Sequence, residues 1–145
     1  GQVVISGEST AVESAIHTAK EIGVRRALPL NVSGAFHSPL MEPAREPLQN
    51  IVDSVQFHNA VVHVFQNVHG KPVTNAGEIK ENLLTQLENP VLWSDTILNM
   101  KSNGITHFTE VGPGKVLKGL NQRIYPESTT ILFDKPEHLE NLAVL

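Results

Sequence analysis

Glu110-Val111-Gly112-Pro113-Gly114-Lys115-Val116-Leu117 joins an apolar run, Thr106 to Val111, to residues Val116, Leu117, Leu120 and Ile124 at helical spacing. The run has the length of a strand, and the two glycines and the proline between it and the helix make a tight turn nearly obligatory. A strand that turns directly into a helix is the repeating unit of an open α/β fold.

Working outward, the same alternation continues on both sides. Ile79, Leu83, Leu84 and Leu87 mark one helix, and Ile97, Leu98 and Met100 mark a second that Gly104 closes. Val61 to Val68 is mostly continuous in apolar character, the pattern of a strand buried on both faces of a parallel sheet, and a polar turn region follows from His69 to Gly77. Further back, Leu40, Ala44, Leu48, Ile51, Val52 and Val55 recur at helical spacing, with Pro47 expected to kink or delay that helix. Thr130 to Phe133 predicts a last strand and Pro136 to Leu145 a last helix.

The opening segment reads differently. Val3 to Ser6 is a short strand candidate, and Thr10-Ala11-Val12-Glu13 fits a capping box with Thr10 as N-cap. Val12, Ala15, Ile16, Ala19 and Ile22 then predict a helix that Gly23 ends in a left-handed turn, before an extended piece from Ala27 to Val32. This strand-helix-strand unit has no partner strands upstream, and two strands alone are marginal. It reads as the end of a small α+β subdomain.

Composition narrows the function. The 145 residues suffice for one ordinary core, and 40% apolar content argues against disorder. With 11 Lys+Arg against 15 Asp+Glu, the net charge of −4 gives no support to a nucleic-acid partner or an anionic membrane surface. The absence of cysteine excludes disulfides, thiolate metal sites and a cysteine nucleophile. No apolar run approaches the roughly 20 residues of a membrane span. The chain opens with Gly1-Gln2-Val3-Val4-Ile5, neither methionine nor a leader, so Gly1 is expected to be a break point.

Among candidate chemical groups His37 stands first. It lies in Val32-Ser33-Gly34-Ala35-Phe36-His37-Ser38-Pro39-Leu40-Met41, between a strand-like run and a helical pattern, where open α/β folds place their functional groups. Histidine is also the side chain best suited to proton transfer near neutral pH. The other six histidines show no HExxH or paired short spacing, so His58, His63 and His69 are read as surface or strand residues and no metal is expected. Gly7-Glu8-Ser9-Thr10-Ala11 imitates a nucleophile elbow, GxSxG, but ends in alanine, and both hydroxyls suit a helix start, so Ser9 is rejected as a nucleophile. Gly112-Pro113-Gly114-Lys115 lacks the spacing of a phosphate loop, although the helix start behind it could face an anion. Arg25, Arg26 and Arg123 stand out in an acidic chain as solvated charges or as a dock for an acidic partner.

Several of these segments, together with Arg26-Ala27-Leu28-Pro29-Leu30 and Asn89-Pro90-Val91-Leu92-Trp93, resemble in order the motifs of the malonyl-CoA:acyl carrier protein transacylases. The resemblance runs from Gly1 to Leu117. It implies an α/β-hydrolase-like large subdomain, here its C-terminal part from residue 33 to 145, with residues 1–32 as the tail of a ferredoxin-like small subdomain. It implies an acyltransferase that moves malonyl from coenzyme A onto a serine and then onto the phosphopantetheine thiol of acyl carrier protein, in fatty acid or polyketide synthesis. Carried over, His37 is the general base and acid, and the backbone carbonyl of Gln86 orients its imidazole in place of an aspartate. Phe36 beside the acyl pocket would reject an α-methyl group by steric clash, and Arg26 and Arg123 match positions implicated in carrier-protein docking.

No cofactor is implied beyond the phosphopantetheine that the partners carry. The family's GHSxG serine is absent, as are its malonyl-gripping arginine and its oxyanion-hole glutamine, so the chain is expected to be inactive alone and to need an N-terminal half of the same enzyme. A cytoplasmic location is expected. The alternatives are a non-catalytic module that binds an acidic carrier protein and an acyltransferase domain of a polyketide synthase.

Overall fold

A computed structural model of the chain describes residues 2–138. Its elements run α1 (Ser9–Glu21), a 3₁₀ turn (Pro39–Ala44), α2 (Arg45–Ser54), β1 (Val64–Phe65), β2 (Pro72–Val73), α3 (Ala76–Thr85), α4 (Trp93–Ser102), β3 (His107–Val111), α5 (Val116–Ile124) and β4 (Thr129–Phe133). The fold is α/β. β3 and β4 lie parallel in the register His107 to Thr129 through Val111 to Phe133, and α5 is the crossover between them. This is the strand-turn-helix unit expected from Glu110 to Leu117.

Helix ends follow local chemistry. Gly23 and Gly104 take φ of +91° and +80° just after α1 and α4, where a side chain would be strained. Asn75 caps α3 by accepting the Glu78 N–H at 3.0 Å. Pro47 is the third residue of α2, inside the first turn, where its missing N–H costs nothing, and its ring delays the α-helix behind the 3₁₀ turn.

Several expectations are corrected. Thr10 is not an N-cap: α1 begins at Ser9 behind Glu8, and no side chain caps it. Glu8 O receives the Val12 N–H at 2.9 Å, so the first turn closes through backbone alone. Val61 to Val68 is not a buried parallel strand; only Val64–Phe65 is extended in a ladder, antiparallel to β2, while Val61 is 101% exposed. Val3 to Ser6 and Ala27 to Val32 join no ladder among the described residues, because a strand without a partner has nowhere to place its amides. Of the helix expected from Pro136 to Leu145, residues 136–138 form a short 3₁₀ turn in which the His138 N–H reaches Lys135 O at 3.0 Å, and the rest lies outside the described residues.

The core is thin. Val52, Val73, Ile97 and Tyr125 are its buried apolar members among the described residues, joined by Ser38, Thr96, Asn121 and Thr130. Trp93 Nε1 donates to Asn121 Oδ1 at 3.2 Å, and Asn121 Nδ2 in turn reaches Thr130 Oγ1 at 3.4 Å, tying α4, α5 and β4 together. The accessible surface is 10570 Å², against about 7,300 Å² for a compact monomer of this mass. The excess includes apolar side chains such as Val3, Val4, Leu28, Leu30 and Val111.

Candidate active site

The His37 loop is shaped by its neighbours. Ser38 is extended, as the residue before a proline prefers, and its hydroxyl donates to Ala35 O at 2.7 Å while accepting the Leu40 N–H at 3.4 Å. Ser38 is thus an N-cap with Pro39 at the first helical position, a start signal written in two adjacent residues. The turn closed by Ser38 leaves His37 at φ +59°, the one positive φ among described non-glycine residues. Such a conformation persists only where its surroundings enforce it. It turns the imidazole toward the far end of α3.

There His37 Nδ1 lies 3.0 Å from Gln86 O. Gln86 is the C-cap of α3, so its carbonyl has no further helical turn to accept from, and the Asn89 N–H reaches it only at 3.4 Å. The side chain of Gln86 donates to Asn89 O at 2.7 Å and Pro90 O at 3.2 Å, which uses both amide hydrogens. None remains for His37 Nδ1, which lies 3.5 Å from that nitrogen. Nδ1 therefore carries the proton and donates it to Gln86 O, and Nε2 holds a free lone pair on an exposed side chain.

The turn that presents Gln86 is itself held. Asn89 Nδ2 donates to Thr85 O at 2.7 Å, satisfying a terminal carbonyl of α3, and Leu92 N–H donates to Asn67 O at 2.8 Å. Arg45 Nε donates to Glu88 Oε1 at 2.7 Å. The bond to Arg45 holds the Glu88 carboxyl below the usual glutamate range and, with the charge of Glu88, raises Arg45 further. Sequence reasoning passed over Ser38, Arg45, Glu88 and the capping role of Asn89; of these, only the Ser38-Pro39 start signal was locally readable.

The remaining candidates are placed apart from this contact. Phe36 precedes His37, is exposed, and packs over Gly34. Arg26 follows α1 and Arg123 lies in the last turn of α5; both are exposed, and neither enters an ion pair among the described residues. The anion expected at the start of α5 comes from the chain itself: Glu110 Oε1 accepts the Leu117 N–H at 3.0 Å and Oε2 the Lys118 N–H at 2.8 Å. That carboxylate fills the position a bound anion would take. His69 accepts from the Lys71 N–H through Nδ1 and meets Asn82 through Nε2, a polar network rather than a ligand set. Among the described residues no helix is long and apolar enough to cross a membrane.

No family model matches the chain. A malonyl CoA-acyl carrier protein transacylase of Bacillus subtilis is 44% identical over 140 residues, 97% of this chain and 44% of that protein. The solved acyl-carrier-protein S-malonyltransferase of Bartonella henselae superposes with a TM-score of 0.88 at 34% identity, over 95% of this chain and 44% of that one. The chain is a homologue of the malonyl-CoA:acyl carrier protein transacylases. A solved complex of a type II PKS acyl-carrier protein with its malonyl-transacylase matches at a TM-score of 0.86 and 35% identity, over 96% of this chain and 45% of that one. The chain thus spans under half the length of the transacylases it matches.

Proposed function

We propose that this chain is the histidine-bearing part of a malonyl-CoA:acyl carrier protein transacylase, an acyltransferase of fatty acid or polyketide synthesis. The observation that carries the reading is the His37 Nδ1–Gln86 O contact of 3.0 Å, which leaves Nε2 free to take and return a proton. Its relatives bear the transacylase name.

In this reading Nε2 accepts the proton of a serine hydroxyl as the serine oxygen attacks the thioester carbonyl of malonyl-CoA. Nε2–H then protonates the departing coenzyme A thiolate. The second half runs in reverse: Nε2 takes the proton of the phosphopantetheine thiol, the thiolate attacks the malonyl-serine ester, and the proton returns to serine. The Gln86 carbonyl keeps Nδ1 protonated throughout, the tautomer-fixing part that an aspartate plays in the familiar triad.

The serine, the malonyl-binding arginine and the oxyanion-hole glutamine would come from an N-terminal half of the same enzyme. Residues 1–32 would end a ferredoxin-like small subdomain and residues 33–145 would complete an α/β-hydrolase-like large one. Phe36 would bar an α-methyl group from the acyl pocket, and Arg26 and Arg123 would dock the acidic carrier protein. The reaction needs no metal or cofactor of its own, and the enzyme would work in the cytoplasm.

The test is transfer of radiolabelled malonyl from coenzyme A to acyl carrier protein. The chain alone should give none, the chain combined with a GHSxG-bearing half should restore transfer, and His37→Ala in that combination should abolish it. Transfer that survives His37→Ala overturns the reading.

A further inference from the structure

We infer that the Arg45–Glu88 ion pair is a brace that holds the Gln86 carbonyl on His37, and so makes Arg45 and Glu88 positioning residues for the proton transfer. The inference rests on the reading of His37 as the base.

Two segments far apart in sequence must be kept in register for the contact to exist. One is the loop and 3₁₀ turn from His37 to Arg45, the other the turn from Gln86 to Pro90 after α3. Among the described residues, hydrogen bonds join these segments at two places only: His37 to Gln86, and Arg45 to Glu88. The first is the bond to be positioned, so it cannot be its own support. The second is a charge-assisted contact of 2.7 Å, at the short end of such bonds, made by residues two positions beyond Gln86 and eight beyond His37.

The setting favours a persistent pair over a floating one. The Glu88 side chain is only 15% exposed, while Arg45 at 48% keeps one side in water. Arg45 opens α2 immediately after the 3₁₀ turn, so its backbone is fixed at both ends, and Glu42 on that turn adds to its positive character. Glu88 lies in the turn whose Gln86 and Asn89 side chains fold back on the backbone. A rigid base on each side lets one side-chain bond transmit position. Lost alignment would let the His37 ring rotate and its proton move to Nε2, which disables the base.

The test reads the tautomer of His37 directly. Imidazole ¹⁵N shifts of this chain are recorded at about pH 8, above the ordinary histidine pKa of about 6.5, for wild type, Arg45→Met, Glu88→Gln and the charge-swapped pair Arg45→Glu with Glu88→Arg. The wild type should show the Nδ1–H form; each single variant should raise the Nε2–H share several-fold, and the swap should bring it back toward wild type. Glu88→Gln keeps the shape of the side chain and carries the test if Arg45→Met does not fold. A Glu88→Gln spectrum identical to wild type overturns the brace. Malonyl transfer that survives His37→Ala would sink the base, and with it the positioning role, whatever the tautomer spectra show, whereas an unchanged Glu88→Gln spectrum with His37-dependent transfer would sink the brace alone, so the two failures are told apart.

Discussion

Gly70 offers a test of the packing against α4. It sits at φ +64°, its N–H donates to Gln66 O at 2.8 Å, and its carbonyl accepts from Asn99 Nδ2 at 3.1 Å. A Cβ placed there would lie 2.7 Å from Thr96 N and 2.9 Å from Thr96 Cα, closer than the 3.0 Å that real Cβ contacts respect. Both atoms are backbone of α4, and Thr96 is almost wholly buried beside Ile97, so no flexible side chain can give way. Alanine in the left-handed region costs about 1–2 kcal/mol, and forcing the helix aside adds about 1–3 kcal/mol of overpacking. Gly70→Ala should therefore lose about 2–5 kcal/mol. Gly104→Ala is the control: its φ is +80°, and an added Cβ meets nothing within 4 Å, so only the first cost applies. Urea unfolding followed by far-UV circular dichroism gives both losses. Equal losses in the two variants would refute the claim that close approach to α4, rather than backbone conformation alone, requires glycine at 70.

Three further outcomes are expected. Glu110→Gln removes the charge and one of the two acceptors at the start of α5, and should cost about 1–2 kcal/mol in urea unfolding; an unchanged midpoint would show that the Leu117 and Lys118 amides do not depend on it. Trp93→Phe leaves Asn121 Oδ1 buried without its donor and should cost about 1–3 kcal/mol, with amide exchange accelerated in α5; protection equal to wild type would refute the link. Because Glu88 titrates below its usual range when folded, the ion pair contributes fully above the ordinary glutamate range and fades as the pH falls through the lowered value. Arg45 is raised and stays charged across that window. The stability gap between wild type and Glu88→Gln should accordingly close at acid pH, and a gap that widens there would contradict the sign.

The sequence alone determined what neighbouring residues can decide between themselves. Gly23 and Gly104 end their helices because glycine, having no Cβ, takes a positive φ without steric cost, a property of the residue itself that needs no partner. The Glu110-to-Leu117 segment makes a strand turn into a helix, and the positions of α2 through α5 follow from apolar spacing. His37 could be singled out because its loop separates two such patterns. Tertiary structure decided everything that needs a distant partner. Val61 to Val68 is as apolar as a buried strand, yet only two of its residues find a ladder, since a strand exists only where another chain segment accepts its amides. Glu110 gives no local sign that it will cap a helix seven residues on. Gln86 was named through family resemblance; nothing around it announces a partner 49 positions away, because an exposed C-cap carbonyl acquires a role only when folding brings an imidazole to it. The Arg45–Glu88 pair, 43 positions apart, is of the same kind: complementary charges are common in any chain, and only the folded chain brings this donor and this acceptor to 2.7 Å.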